Sequence, residues 1–339
     1  MIVKKMPILQ GFPDLETVIF LSKSVCEFSD NNCYFYDIET TGLSKSTSYV
    51  YLIGAIACKS NQWILYQWFA ESAHEEIAIL QEFSSFAAKY HYAFQYNGDR
   101  FDQPFLEARY EMYHLPSPFS AITSIDLYKH LKICQKLWKL ERMKQPDLEA
   151  FLGIDARCNC DGGQCIKLYK KYQKMEDSKL LEVVLGHNEE DLLGLGKICL
   201  LFSCLALFQG NLGVTKAEVD SEHVIFTLSL PLPVPVEFSN GNEFFYLSVC
   251  RNTARLMIPL KGGKIRQFYE NPKQYVYLPG EDSVIPKSLS AYMDKSLYVP
   301  ASKEDCYTWV VCDEMFLSDS EKMLQYLRRT LPVLLKMLK

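Results

Sequence analysis

Along the first two hundred residues the apolar positions switch between a period of two and a period near 3.6, the pattern of strands interleaved with helices. CYFYDI (33–38), VYLIGAIACK (50–59) and QWILYQWFA (62–70) are short aromatic or β-branched runs, with the polar pair Ser60-Asn61 marking a hairpin turn between the last two. From His74 to Tyr90, Ile77, Leu80, Phe83 and Phe86-Ala87 recur at three- and four-residue spacing, which predicts an amphipathic helix. HYAFQY (91–96) predicts a fourth strand leading through Asn97-Gly98-Asp99 into a helix carrying Phe105, Leu106, Ala108 and Tyr110. Ala121–Leu127 gives a fifth strand, and the chain to about residue 205 reads as helical around a loop at 153–164. This order implies a mixed α/β sheet of five strands flanked by helices.

Beyond residue 206 the texture changes. Prolines crowd into LPLPVPVEF (230–238), turns recur in SNGNE and KGGK, and short runs such as EFFYLSV and TWVVC predict a smaller, mostly β (α+β) domain. A final helix, Ser320–Lys339, is expected to kink at Pro332. The expected organisation is an N-terminal extension (1–30), an α/β domain (31–205) and a β-rich accessory domain (206–339) closed by that helix.

Composition changes this picture little. A chain of 339 residues with 48% hydrophobic positions suits two folded domains and excludes disorder and coiled coil. No apolar run suggests a membrane span, the N-terminal segment is broken by Pro7, Gly11 and Pro13, and a cytoplasmic protein is expected. The net charge of −5 argues against a broad electrostatic grip on nucleic acid. Residues 206–339 hold 15 basic and 15 acidic side chains, so the whole acidic excess falls in the first 205 residues. Twelve cysteines in mostly apolar surroundings read as free thiols of a reducing compartment. Cys158, Cys160 and Cys165 cluster in CNCDGGQC; a plain Gly-rich loop is the favoured reading, and a metal site lacks a paired CxxC or nearby histidine.

Three segments carry candidate chemistry. Asp37 and Glu39 stand two apart at a strand end, so both carboxylates leave from one side, as a divalent cation would require. Asp102 follows Asn97 and Phe101 at the start of a helix, where a capping carboxylate is the plain alternative. His187 and Asp191 are one helical turn apart and can converge, or can form a surface ion pair.

In this order, D-x-E, N-x-x-x-F-D and H-N-x-x-D resemble the three motifs of the DnaQ-like (DEDD) 3′–5′ exonucleases of the ribonuclease H-like superfamily, and in particular the YprB-type ribonuclease H-like domain. The resemblance covers about residues 33–200 and takes in IGAIA, SIDLY (124–128), LEAFLGI (148–154) and DGGQCIKLYKKY (161–172). It implies a five-stranded ribonuclease H-like sheet, two divalent ions (Mg²⁺ or Mn²⁺) held by Asp37, Glu39, Asp102 and Asp191, and His187 as general base. It also implies that Thr40, Thr41, Gly42 and Leu43, with Asn97 and Phe101, hold a nucleic-acid 3′ end. His187 precedes Asp191 by four positions, whereas the common histidine branch has five; four is the spacing of the tyrosine branch. Asp126 is expected to cap a helix, the alternative being a supporting position behind the site, and Glu189 and Glu190 are expected to face solvent.

Two basic runs could track a nucleic-acid backbone or form solvated faces: Lys129, Lys132, Lys136, Lys139, Arg142 and Lys144, and Lys167, Lys170, Lys171 and Lys174 interleaved with Tyr169 and Tyr172. The function expected is a metal-dependent 3′–5′ exonuclease acting on single-stranded ends of DNA or RNA. The alternatives are a catalytically weak nucleic-acid- or protein-binding module that keeps the fold, and an endonuclease of the same superfamily. Protein partners are not assigned.

Overall fold

A computed structural model describes residues 1–154 and 161–339, which divide into two compact units: 1–132 with 143–202, and 133–142 with 203–339. Cys158 and Cys160 lie outside the described residues.

The first unit is built on one mixed sheet. Its strands are β1 (Ile2–Pro7), β2 (Cys33–Thr40), β3 (Val50–Lys59), β4 (Gln62–Phe69), β5 (Tyr92–Gln95) and β6 (Thr123–Asp126), in the order β1-β4-β3-β2-β5-β6. β2, β3, β4 and β1 pair antiparallel, and β5 and β6 pair parallel to β2 and β5 respectively. All five expected strands are present, and a sixth joins them: residues 1–30 supply β1 and helix α1 (Leu15–Ser22). β1 has strict alternation of half-buried and exposed positions, as befits an edge strand that covers one face.

Helices α2 (Glu76–Ala87) and α3 (Asp102–Met112) cover one face of this sheet, where Tyr34, Tyr36, Trp68, Phe83, Phe105 and Tyr110 form the core. Short helices α4 (Leu127–Leu131) and α5 (Gln145–Phe151) follow, and then α6 (Gly162–Met175) and α7 (Ser178–Cys199). α7 packs on β2 and β3, and Tyr51, Phe69, Tyr169, Tyr172 and Val184 form a second cluster. The segment Ser178–Gln209 is, contrary to the sequence reading, long and apolar enough to cross a membrane. However, 72% of its most apolar window is buried within the protein, the position of a core helix.

In the second unit α8 (Leu205–Gln209) leads into β7 (Gly213–Val219), β8 (His223–Ser229), β9 (Phe238–Asn242), β10 (Phe245–Cys250) and β11 (Thr253–Pro259), an antiparallel sheet ordered β7-β8-β11-β10-β9. β12 (Lys264–Phe268) pairs with β16 (Tyr307–Val311), and β13 (Tyr275–Leu278) lies between β14 (Ser283–Pro286) and β15 (Val299–Pro300). After α9 (Glu314–Ser318), α10 (Ser320–Lys336) buries Met323, Tyr326, Leu327, Leu331 and Leu334 along one face and continues through Pro332.

Candidate metal centre

β2 is the central strand of the first sheet and is buried along nearly its whole length, so a carboxylate placed on it must be accommodated inside the protein. Asp37 and Glu39 leave it on the same side, facing α7. α7 returns His187 and Asp191 to them from one turn of helix. One carboxylate oxygen each of Asp37, Glu39 and Asp191 lie within 4.8 Å of one another. His187 Nε2 stands 3.3 Å from Glu39 Oε1 and 3.3 Å from Asp191 Oδ2, with its side chain 7% exposed. Tyr51 donates its hydroxyl to Glu39 Oε2 at 3.2 Å.

Asp102 does not cap its own helix. It is the first residue of α3, the N-cap residue Phe101 makes no side-chain cap, and the Asp102 Oδ1 accepts from the backbone N–H of Ile38 at 3.3 Å. The carboxylate is thereby turned to the stretch of β2 that carries Asp37 and Glu39.

The electrostatics follow from burial. Desolvation, and then the charges of Asp191, Asp102 and Glu39 in that order, push the Asp37 carboxyl well above its ordinary range; a hydrogen bond from Asn188 opposes them. Burial pushes Asp102 up to about 7. Buried carboxylates that resist ionising together are the oxygen donor set that a hard divalent cation relieves, so these residues fit Mg²⁺ or Mn²⁺.

Sequence reasoning missed the layer beneath this centre. Asp37, Gly54 and Gln67 face one another in register across β2, β3 and β4, and Asn188 of α7 lies over that row. Asn188 is fully buried, donates to Asp37 Oδ2 at 3.0 Å and accepts from Gln67 Nε2 at 3.0 Å. Gln67 also donates to the Leu185 carbonyl at 2.8 Å, which ties the strand to the helix. A Cβ on Gly54 would fall 1.9 Å from Asn188 Oδ1 and 2.7 Å from Leu192 Cδ1, so only glycine permits this approach. The available signals were a glutamine inside the apolar run QWILYQWFA and the glycine of IGAIA. A second support comes from Gln145, which donates to the Asp191 carbonyl at 2.7 Å and to Glu149 Oε1 at 3.0 Å.

The remaining predicted residues are placed as follows. The Thr40 hydroxyl donates to the Gly42 carbonyl, Thr41 Oγ1 accepts from the Tyr49 N–H, and Leu43 is 83% exposed beside them. This loop is held from below by a buried pair. Arg109 Nε donates to Glu76 Oε1 at 2.8 Å, Glu76 Oε1 accepts from the Val50 N–H, and Arg109 Nη1 donates to the Lys45 carbonyl. Asn97 adopts the left-handed conformation (φ +57°). Asp126 caps α4 and also accepts from the N–H groups of Asn97 and Asp99, so it anchors the second-motif loop as well. Phe101 is half-buried against Phe105. A cleft of ≈ 420 Å³ runs along this loop, lined by Asn97, Asp99, Arg100, Asp126, Tyr128, Lys129 and Lys132.

Two expectations are corrected. Glu189 pairs with Lys4 at 3.6 Å and Glu190 buries Oε2, so neither simply faces solvent. Tyr169 and Tyr172 are core residues, Tyr169 stacking on Tyr51 at 4.0 Å, so only the lysines of that run are exposed. A turn of helix that puts lysines outward must put the intervening aromatics inward. Cys165, on the buried face of the same helix, brings its sulfur into a group with a Glu39 oxygen and a His187 ring nitrogen, all within 4.8 Å of one another.

Residues 34–201 match the RNase H superfamily. The chain carries a ribonuclease H-like domain. Its sequence is 28% identical over 199 residues to a Bacillus subtilis (strain 168) protein named "Uncharacterized protein YprB", consistent with a YprB-type ribonuclease H-like domain. That match covers 55% of this chain and 48% of the relative, so the chain spans about half the length of the curated relative it matches. Among solved structures, the family B DNA polymerase of the hyperthermophilic archaeon Pyrobaculum calidifontis aligns with a TM-score of 0.40 and 14% identity, covering 52% of this chain and 25% of the polymerase.

Proposed function

We propose that the protein is a metal-dependent 3′–5′ exonuclease that hydrolyses phosphodiester bonds of nucleic acid, with single-stranded ends favoured. The observation that carries this reading is the convergence of Asp37, Glu39 and Asp191 within 4.8 Å, with Asp102 turned onto the same strand segment and His187 held between two of the acids. Asp37, Glu39, Asp102 and Asp191 would hold two divalent ions, which when bound stabilise the charge on the attacking and leaving oxygens of an in-line displacement. Asn188 and Gln67 fix the orientation of Asp37, and the Ile38 N–H fixes that of Asp102. His187 accepts the proton of the attacking water, and Glu39 and Asp191 at 3.3 Å stabilise the imidazolium that forms. Leu43, exposed at the end of the first motif, presents an apolar edge to the terminal base, and Arg100, Lys129 and Lys132 offer charge to phosphates along the second motif. A weak global attraction, offset by these local cations, suits an enzyme that needs both metal and a free end. Free cysteines among the described residues, Cys33, Cys134, Cys199 and Cys204 in the interior included, suit a reducing, cytoplasmic setting.

End-labelled single-stranded DNA, single-stranded RNA and their duplexes, digested with Mn²⁺ or Mg²⁺ and with EDTA, test the proposal. Stepwise loss of nucleotide monophosphates from the 3′ end, abolished by EDTA and by Asp37→Asn, is expected. Cleavage of circular single strands would replace it with an endonuclease. Folded protein that cuts none of these substrates would leave a binding module.

A further inference from the structure

The centre contains one side chain that the nuclease reading does not use. Cys165 is fully buried on α6, 22 residues before His187, and its sulfur joins Glu39 and His187 in a group whose donor atoms lie within 4.8 Å of one another. Asp191 stands next to this group: its Oδ2 is 3.3 Å from His187 Nε2, the nitrogen that is also 3.3 Å from Glu39 Oε1. The other ring nitrogen, Nδ1, is buried with no hydrogen-bond partner among the described residues. Donors around a tetrahedral zinc-sized ion at about 2.0–2.1 Å stand about 3.3–3.4 Å apart, which is the spacing of His187 Nε2 from both carboxylates.

We propose that Cys165, His187 and Glu39, with Asp191 as a fourth donor, form a mixed sulfur–nitrogen–oxygen site for a zinc-class divalent ion, overlapping the all-carboxylate site. Mg²⁺ and Mn²⁺ favour hard oxygen donors, whereas thiolate and imidazole select zinc, cobalt and cadmium. Binding converts the thiol to a metal thiolate and releases one proton to solvent. An ion so placed engages His187 and two of the four acids, so zinc and the nuclease ions exclude one another. The proposal rests on the donor geometry and stands whether or not the protein cuts nucleic acid.

Cobalt(II) titration of the full-length protein, freed of metal and kept reduced, reads the donor set directly. Thiolate-to-cobalt charge-transfer absorption saturating at one ion per chain is expected, displaced by Zn²⁺ and retained in a Cys158→Ser, Cys160→Ser double variant. Cys165→Ala should abolish the band. It should weaken Zn²⁺ binding by at least the roughly 10–100-fold that loss of a mere supporting group costs, and weaken Mn²⁺ binding far less. The cadmium-113 resonance of the unmodified protein gives the same answer without a variant, since one sulfur donor moves it well away from an all-oxygen position. Absence of the band, its survival in Cys165→Ala, an all-oxygen cadmium resonance, or equal loss of Mn²⁺ and Zn²⁺ affinity in Cys165→Ala would each overturn the proposal.

Discussion

Replacing Asp102 by asparagine should make the metal-free protein more stable while removing its response to metal. The residue is 8% exposed, and burial holds its carboxyl at about 7 against 3.8 when solvated. Between those values the native state binds more protons than the unfolded chain, so stability falls as pH rises through about 4 to 7. A shift of roughly three units, at about 1.4 kcal/mol each, makes the penalty about 4 kcal/mol by pH 8 and small at pH 4. Asparagine keeps an oxygen for the Ile38 N–H and carries no charge, so it removes the penalty at little steric cost. Asp37 shares the same field, and relaxation around the cluster reduces the gain to about 2–4 kcal/mol. Urea denaturation in EDTA, followed by tryptophan fluorescence with Trp138 and Trp309 of the second unit replaced by Phe so that Trp63 and Trp68 report, should show Asp102→Asn more stable than the otherwise identical parent at pH 8. The gap should close below about 1 kcal/mol at pH 4. Excess Mn²⁺ should then close most of the gap: about 2.7 kcal/mol is gained at a hundred times Kd by the protein that binds the ion, and almost none by the variant. Equal stabilities at pH 8 in EDTA, or equal stabilisation of both proteins by Mn²⁺, would refute the reasoning.

Asn188→Ala should leave Asp37 unoriented and lower Mn²⁺ affinity by about 10–100-fold in calorimetric titration, with a smaller change in melting temperature than core truncations cause. Gly54→Ala drives a methyl into Asn188 and Leu192; a loss of about 1–3 kcal/mol by chemical denaturation is expected, together with weaker metal binding, and a neutral result would deny the close approach of α7. Arg109→Met strands the fully buried Glu76 without its cation and should cost about 3–5 kcal/mol; a loss below 1 kcal/mol would mean that Glu76 finds another partner.

Much of the centre was legible because its chemistry is local in sequence. Asp37 and Glu39 share a face through the two-residue period of a strand, and His187 and Asp191 share one through the helical turn, so each pair is specified within five residues. Asp102 was ambiguous, since a carboxylate at the start of a helix has a capping explanation that only its contact with Ile38, 64 residues away, removes. The strands around β2 were readable for a similar reason: CYFYDI and VYLIGAIACK are buried on both faces and so nearly continuously apolar, and QWILYQWFA alternates before it becomes fully buried at its end.

By itself, then, the sequence determined the alternation of strands and helices, the order of the acids, and which short segments could present paired donors. Tertiary structure decided the rest. It added β1 to the sheet, turned Tyr169 and Tyr172 into the core, set Gln67, Gly54 and Asn188 beneath Asp37, and brought Cys165 to Glu39 across 126 residues. Period and propensity act over a few neighbouring residues, whereas these contacts depend on strand register and on the face by which a helix docks, which the whole core sets at once.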